Sequence, residues 1–481
     1  MNRRMVFYTL GQIVRVSSLL MLLPTVVALI YREDTVLSFL IAVAIAVIVG
    51  TVLTFVAKPR DRVIYAKEGF VIVSLAWLTM SAVGALPFFL SGEIPSYTDA
   101  FFETVSGFTT TGASILTDLE SMSHGLLFWR SFTHWIGGMG VLVFVMAIIP
   151  NVSDRSIHIM RAEMPGPIIG KLVPRVKDTA KILYLIYIVM TALMFILLLC
   201  GNMPVFDSAI HAFGTAGTGG FGIKADSVGS YSPYLQWVIT IFMILFGVNF
   251  NLYYLLLLRR VKAILRSEEL WCYFTIVAVS ATVITVNIAS QFPTVSDAVR
   301  AAFFQVSSII TTTGYSSVDF NQWPTLSKSI LLALMFLGGC AGSTAGGLKI
   351  ARAIILQKKI RKELRQMTHP RSVNAMRFEG RILDESTANT ATVYFAFYAL
   401  IFLVLFLLLC LEPFDIETNF SAAASCFNNV GPGFSLAGPM SSYSMYSPFS
   451  KWLLSFAMLL GRLEIFPMIL AFSPATWSKN K

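Results

Sequence analysis

Uncharged apolar runs as long as a bilayer is thick recur along this chain, and they constrain its fold more than any other feature. A membrane helix needs about 20 apolar residues. Runs at or above that length occupy 35–57, 69–92, 131–153, 234–258, 270–296, 329–348 and 386–411, and 182–200 is nearly as long. A first span around 16–31 and a last one around 452–472, interrupted by Arg462 and Glu464, bring the expected number to about ten. Of the 481 residues 56% are hydrophobic and only 13% are charged, whereas a soluble domain carries about 25% charged residues. That composition excludes a soluble enzyme. The Met-Asn-Arg-Arg start is read as a retained first span, because the run contains Arg15 and reaches Tyr31 without a small-residue cleavage site.

Charge gives an orientation, since Lys and Arg accumulate on the cytoplasmic side of short loops. One set of loops carries Lys58, Arg60, Arg62 and Lys67, then Arg155, Arg161, Lys171, Arg175, Lys177 and Lys181, then Arg259, Arg260, Lys262 and Arg266, then ten basic residues between 349 and 381. The alternate loops hold mainly Lys224, Arg300, Lys328 and Lys451. Both termini are therefore expected in the cytoplasm, and the net charge of +10 reads as topology rather than a nucleic-acid surface. The basic run 358–365 is additionally a candidate site for a partner or for anionic membrane lipid. Cys200, Cys272, Cys340, Cys410 and Cys426 lie mostly in apolar runs without a CxxC, so neither disulfides nor a thiolate metal site is expected. His124, His134, His158, His211 and His369 form no metal-ligand spacing. No HExxH, no GxxxxGK[ST] and no Ser, His, Asp set points to one site, so an enzyme reading lacks residues and no transition metal is expected.

Four alternate loops share a pattern: a polar or acidic start, an apolar stretch too short to cross the bilayer, and a cluster of Thr, Ser, Asn and Gly. Asp99 leads to Thr109, Thr110, Thr111 and Gly112; Asp207 to Gly217, Thr218, Gly219 and Gly220; Asp297 to Thr311, Thr312, Thr313 and Gly314; and Asp415 to Asn428, Asn429, Val430 and Gly431. Gly112, Gly219, Gly314 and Gly431 recur about once every hundred residues. The predicted fold is an all-α polytopic membrane protein: two extra N-terminal helices (1–64), then four helix, re-entrant loop, helix units (65–155, 156–265, 266–383 and 384–481) around one axial pore. Irregular backbone at bilayer depth is tolerated only where protein encloses it or water lines it. Four such loops on one axis offer rings of carbonyls that replace the hydration shell of a bare cation. Short helices from Asp99, Asp207, Asp297 and Asp415 would aim their partly negative C-terminal ends at that axis. Small residues also mediate ordinary helix packing, but four equivalent clusters favour a pore. The string Gly217, Gly219, Gly222 matches GxGxxG, yet no strand or βαβ unit surrounds it.

The residues Arg161 to Pro167 (RAEMPGP), Thr109 to Ala113 (TTTGA), Gly338 to Thr344 (GGCAGST), Asn428 to Gly433 (NNVGPG) and Gly461 to Phe466 (GRLEIF) resemble the TrkH and TrkG membrane subunits of bacterial potassium uptake systems, in the superfamily of KtrB and the plant HKT transporters. The resemblance runs from about Tyr8 to Trp477. It implies channel-like K⁺ uptake across the bacterial inner membrane by a homodimer, each subunit with its own pore, controlled by a cytoplasmic TrkA ring that alone binds nucleotide; this chain itself would need no cofactor. Carried over motif by motif, it implies a filter of Thr110, Thr111, Gly112, of Thr218, Gly219 with Gly217 and Gly220 beside them, of Thr312, Thr313, Gly314, and of Asn429, Val430, Gly431. In the superfamily serine at the first glycine accompanies sodium transport, so Gly112 favours potassium. The glycine-rich second cluster allows more than one register.

Gly338, Gly339, Cys340, Ala341, Gly342, Ser343, Thr344, Ala345, Gly346 and Gly347 hold five glycines within a run that should span. Each interior glycine weakens a helix by about 1 kcal/mol, so a break is expected there. The spacing of Gly338, Gly342 and Gly346 also fits small-xxx-small packing; the resemblance implies a gating loop under the filter, with Arg462 beside it in the pore. An Arg within a span is usually functional or paired, and Glu464 is one candidate partner. A cation-coupled secondary transporter with alternating access is the rival reading. Its repeats usually number two and are inverted, whereas these are four and parallel.

Overall fold

The computed structural model describes residues 1–59, 66–140, 176–370 and 375–477. Its architecture is helical, and a single antiparallel hairpin, Arg377–Phe378 with Arg381–Ile382, is the sheet among the described residues. Among the described residues, six helices are long and apolar enough to cross a membrane: Arg3–Tyr31, Thr35–Val56, Lys67–Leu90, Ala180–Cys200, Glu268–Gln291 and Glu385–Leu409. Two bent pairs raise the number to eight, fewer than the ten expected. The expected run 131–153 lies partly outside the described residues, and 329–348 is a 12-residue helix, Thr325–Phe336, followed by a break. The first span begins well before residue 16. Its helix starts at Arg3, where the Asn2 side chain accepts from the Met5 N–H, and a kink at Met21 divides Arg3–Leu20 from Leu22–Tyr31. It packs on Thr35–Val56 through Gly11 and Gly50, where an added methyl on either would lie under 3 Å from the other's carbonyl oxygen.

Two runs that read as single spans are broken. Pro233–Phe246 turns by 90° into Phe250–Leu257, and Pro448–Arg462 turns by 118° into Phe466–Phe472. At the first bend the Asn249 side chain accepts from the Asn251 N–H and restarts the helix. The carbonyls freed by the bend find donors elsewhere: Ile244 from Tyr273 Oη, Leu245 from Tyr253 Oη, Phe246 from Thr344 Oγ1 and Gly247 from the Cys340 N–H. Buried peptide groups must be satisfied in this way.

Four short helices, Tyr97–Phe108, Val205–Gly217, Val295–Ile310 and Ile416–Asn428, hold the positions expected for them. Asp415 is an N-cap, its carboxylate accepting from the Thr418 N–H at 3.0 Å; Asp99, Asp207 and Asp297 sit in the first turn of their helices, and Ser96 and Thr294 cap the first and third. Hydrogen bonds from Thr418, hydroxyl first, hold the Asp415 carboxyl below its usual range. The surrounding helices close a ring. His124–Gly138 packs on short helices one and two, Pro233–Phe246 on two and three, Thr325–Phe336 on three and four, and Pro448–Arg462 on four and one. The all-α architecture of four units around one axis is thus present.

Candidate functional site

Each short helix ends in a strip with the same backbone signature. Thr110, Thr218, Thr312 and Asn429 have φ of 56°, 55°, 55° and 58°, and two residues on Gly112, Gly220, Gly314 and Gly431 have φ of 81°, 75°, 83° and 108°. The N–H between them turns back onto the helix: Thr111 to Ser106 O, Gly219 to Gly214 O, Thr313 to Ser308 O and Val430 to Ser425 O, at 2.8–2.9 Å. Left-handed threonine is a strained conformation, about 1–3 kcal/mol at each position, and it occurs here three times in equivalent places. The signature settles the register of the second strip: its counterpart of Gly112 is Gly220, one residue beyond Gly219.

The strips touch in cyclic order. A Cβ on Gly112 would lie 2.0 Å from Gly219 O, one on Gly220 would lie 2.0 Å from Thr313 O, one on Gly314 would lie 2.2 Å from Val430 O, and one on Gly431 would lie 2.7 Å from Thr111 O. Each strip's glycine therefore rests against the next strip's middle carbonyl, and the ring is closed. All four glycines also line one recess, together with Ala113, Ser114, Phe221 and Pro432. At the other end of the strips, the buried Thr110 Oγ1 and Asn429 Oδ1 have no hydrogen-bond partner among the described residues, while Asn429 Nδ2 ties strip four to Thr111 Oγ1 at 3.0 Å.

Side chains behind the strips hold them. Buried Glu103 pairs with Arg130 at 2.5 Å and accepts from Ser114 Oγ and the Ile115 N–H, while Arg130 donates to Gly222 O and lies over the Phe221 ring. His134 Nδ1 donates to Gly107 O, and its Nε2 accepts from the Phe221 N–H.

Gly338 to Gly347 form a turn-rich loop between Thr325–Phe336 and Ile350–Thr368. The helix breaks as the glycines require: Gly338 N–H bonds Leu348 O, Ile350 N–H bonds Gly339 O, and Ser343 N–H bonds Cys340 O. The loop lies against the threonine end of the strips, with the Gly346 N–H donating to Thr312 Oγ1 at 2.6 Å. Lys349, buried, donates to Ala345 O. Arg462 donates to Thr344 O at 2.8 Å, Gly137 O at 2.6 Å and Gly138 O at 2.8 Å, so it bridges the loop and the helix after the first strip. Glu464, the partner anticipated for Arg462, forms an ion pair with Arg352. Gly342, Ser343, Ala345, Gly346, Gly347, Lys349, Arg462 and Trp77 share one small cavity.

Residues 36–479 match the TrkH family, described as cation transport proteins. The chain belongs to the TrkH family. The Trk system potassium uptake protein TrkH of Salmonella typhimurium is 36% identical over 99% of this chain and all of its own length. TrkG of Escherichia coli strain K12 is 33% identical over 98% of each chain. The crystal structure of the potassium transporter TrkH from Vibrio parahaemolyticus superposes with a TM-score of 0.89 at 31% identity, covering 99% of this chain and all of that one. Membership makes this a membrane transport protein rather than an enzyme.

The structure gathers the sequence-predicted filter residues into one ring except Gly217, which ends the helix Val205–Gly217 and packs against His134 behind the strip, and it brings residues 338–347 and Arg462 into one cluster beside the ring. The motif Arg161 to Pro167 and most of the basic loop 155–181 lie outside the described residues. Glu103, Arg130, His134, Lys349 and Glu269 were not singled out by the sequence, although a Glu or Arg within an apolar helix is itself the signal that finds such groups.

Proposed function

We propose that this chain carries K⁺ into the bacterial cytoplasm along the axis of the four-strip ring, in a channel-like manner. The observation that carries the reading is the closed cyclic contact of four equivalent strips, each with a glycine that admits no side chain. Alternating left-handed and ordinary residues turn successive peptide carbonyls to the same side, which is what a carbonyl-lined cation path needs. The potassium in the relatives' names fits this chemistry, and glycine at all four equivalent positions fits the K⁺-selective pattern. The positive-inside bias places the glycine recess outside and the loop 338–347 on the cytoplasmic side of the ring, with both termini cytoplasmic. There the loop and Arg462 form a gate: the loop lies against the strip ends, and the guanidinium opposes cation passage at the low effective dielectric of a narrow path. Homodimeric assembly and a cytoplasmic, nucleotide-binding, TrkA-like ring are the proposed partners.

The test is flux. Purified chain in liposomes should pass K⁺ and Rb⁺ in preference to Na⁺ and Li⁺, with uptake following the K⁺ gradient alone. Equal Na⁺ and K⁺ flux would overturn the filter reading, and uptake that requires an imposed proton or sodium gradient would favour coupled symport.

A further inference from the structure

A carboxylate on a neighbouring helix holds the glycine loop together with the start of the helix that follows it. Glu269 lies in the first turn of the helix Glu268–Ile288 and is 5% exposed. Its Oε1 accepts from the Ala341 N–H at 2.6 Å and from the Ala351 N–H at 3.1 Å. These two donors flank the segment that contacts the strips, and both are backbone groups that the broken helix leaves without helical acceptors. A buried carboxylate requires such donors, so loop and carboxylate stabilise each other only while the loop keeps this arrangement.

The same helix end is gripped by the hairpin. Glu379 Oε1 accepts from Ser267 Oγ and from the Glu269 N–H, both at 3.0 Å. Glu379 and Gly380 form a two-residue turn with φ of 50° and 73°, the left-handed pair that makes a tight hairpin. Lys358, on the helix that follows the loop, pairs with Glu268 and donates to Arg377 O at 2.8 Å. Hairpin, helix start and loop are therefore joined by consecutive hydrogen bonds.

We propose that Glu269 is a positioning residue that latches the intramembrane loop in its closed arrangement, and that the hairpin at Glu379 sets the latch. The inference rests on the reading of the loop as the gate. Contacts made in one loop arrangement and absent from the other bias the equilibrium by their full differential strength. Losing two hydrogen bonds to a buried carboxylate shifts such an equilibrium by about tenfold or more.

The experiment measures K⁺ flux of the full chain in liposomes for wild type, E269A, E269Q, E379Q and a deletion of residues 339–345, with E269A and E379Q each also placed in the deletion. E269A should raise flux about tenfold and E379Q about threefold, with E269Q between wild type and E269A because it keeps one acceptor oxygen of the same reach. The K⁺ over Na⁺ preference should not change, and E269A should add nothing once the loop is deleted. If the deletion itself leaves flux unaltered, the gate reading falls and the latch with it. If the deletion raises flux while E269A and E379Q do not, the latch alone is overturned. It is equally overturned if E269A raises flux as much without the loop as with it. Should E269A fail to fold, E379Q at the hairpin decides the matter by the same two comparisons.

Discussion

Gly112 sits at φ +81° with Gly219 O where a side chain would begin, 2.0 Å from an ideal Cβ. Serine there must both hold a left-handed backbone and displace a neighbouring strip, and the displaced group is backbone rather than a yielding side chain. The contact between strips one and two should open, so Gly112→Ser should lower the K⁺ over Na⁺ flux ratio while leaving passage through the axis. An unchanged ratio in the liposome cation series would show that the carbonyl spacing does not set selectivity. The glycines themselves were legible, because four of them recur in equivalent loops. The register of strip two was not: Gly217, Gly219 and Gly220 are interchangeable by composition, and only the sign of φ at Thr218 and Gly220 separates them. The pairing of Glu103 with Arg130 was invisible for a different reason. They stand 27 residues apart on separate helices, and a single sequence carries no sign of which buried charge meets which.

At the scale of elements, glycine density announced one break and chemistry hid two others. Five glycines between 338 and 347 cannot sustain a helix, and the chain indeed leaves helix at Leu337. The 90° bend near Gly247 had no such signal. Two of its freed carbonyls are satisfied by Cys340 and Thr344 of the loop itself, so the bend is a tertiary property shared by two segments about ninety residues apart. Arg462 is the third element in that contact. Its guanidinium holds Thr344 O of the loop and Gly137 O and Gly138 O of another unit. Removing it deletes a positive charge from the cavity and three hydrogen bonds that favour this loop arrangement. Arg462→Ala should therefore raise K⁺ flux, and the K⁺ over Na⁺ ratio should stay at the wild-type value because no strip residue loses a partner carbonyl. A fall in flux, or a changed ratio, would move Arg462 from gate to filter.

At the scale of the whole molecule, the proposed cytoplasmic ring has to engage a chain whose flanks face lipid. Thr35–Val56 and Glu385–Leu409 are only 22% buried in their most apolar windows and expose Leu, Val, Ile and Phe, as helices against acyl chains should. The helix Ile350–Thr368 differs, because it mixes an apolar stripe with basic residues. Ile360, Leu364 and Met367 are 60%, 58% and 78% exposed, and spacings of four and three place them on one face. Lys358, Lys359 and Lys362 are engaged with Glu268, Asn389 and Glu385, while Arg361 and Arg365 are exposed beside the stripe. The basic run was visible in the sequence, but which of its members are internally occupied was not. In the proposed orientation this face is cytoplasmic, and its chemistry suits an apolar patch rimmed by acidic residues on the proposed TrkA-like ring. An exposed leucine central to such a stripe is where a single charge should matter most, so Leu364→Glu should weaken binding of a TrkA-like ring by about tenfold or more. Reversing Arg361 and Arg365 to Glu should slow association in a salt-dependent way. Because Leu364 touches neither strips nor loop, flux of the chain alone should remain at the wild-type level while control by the ring is lost. Retention of the ring by the Leu364→Glu variant at wild-type affinity, read by co-purification and titration, would place the docking surface on another segment.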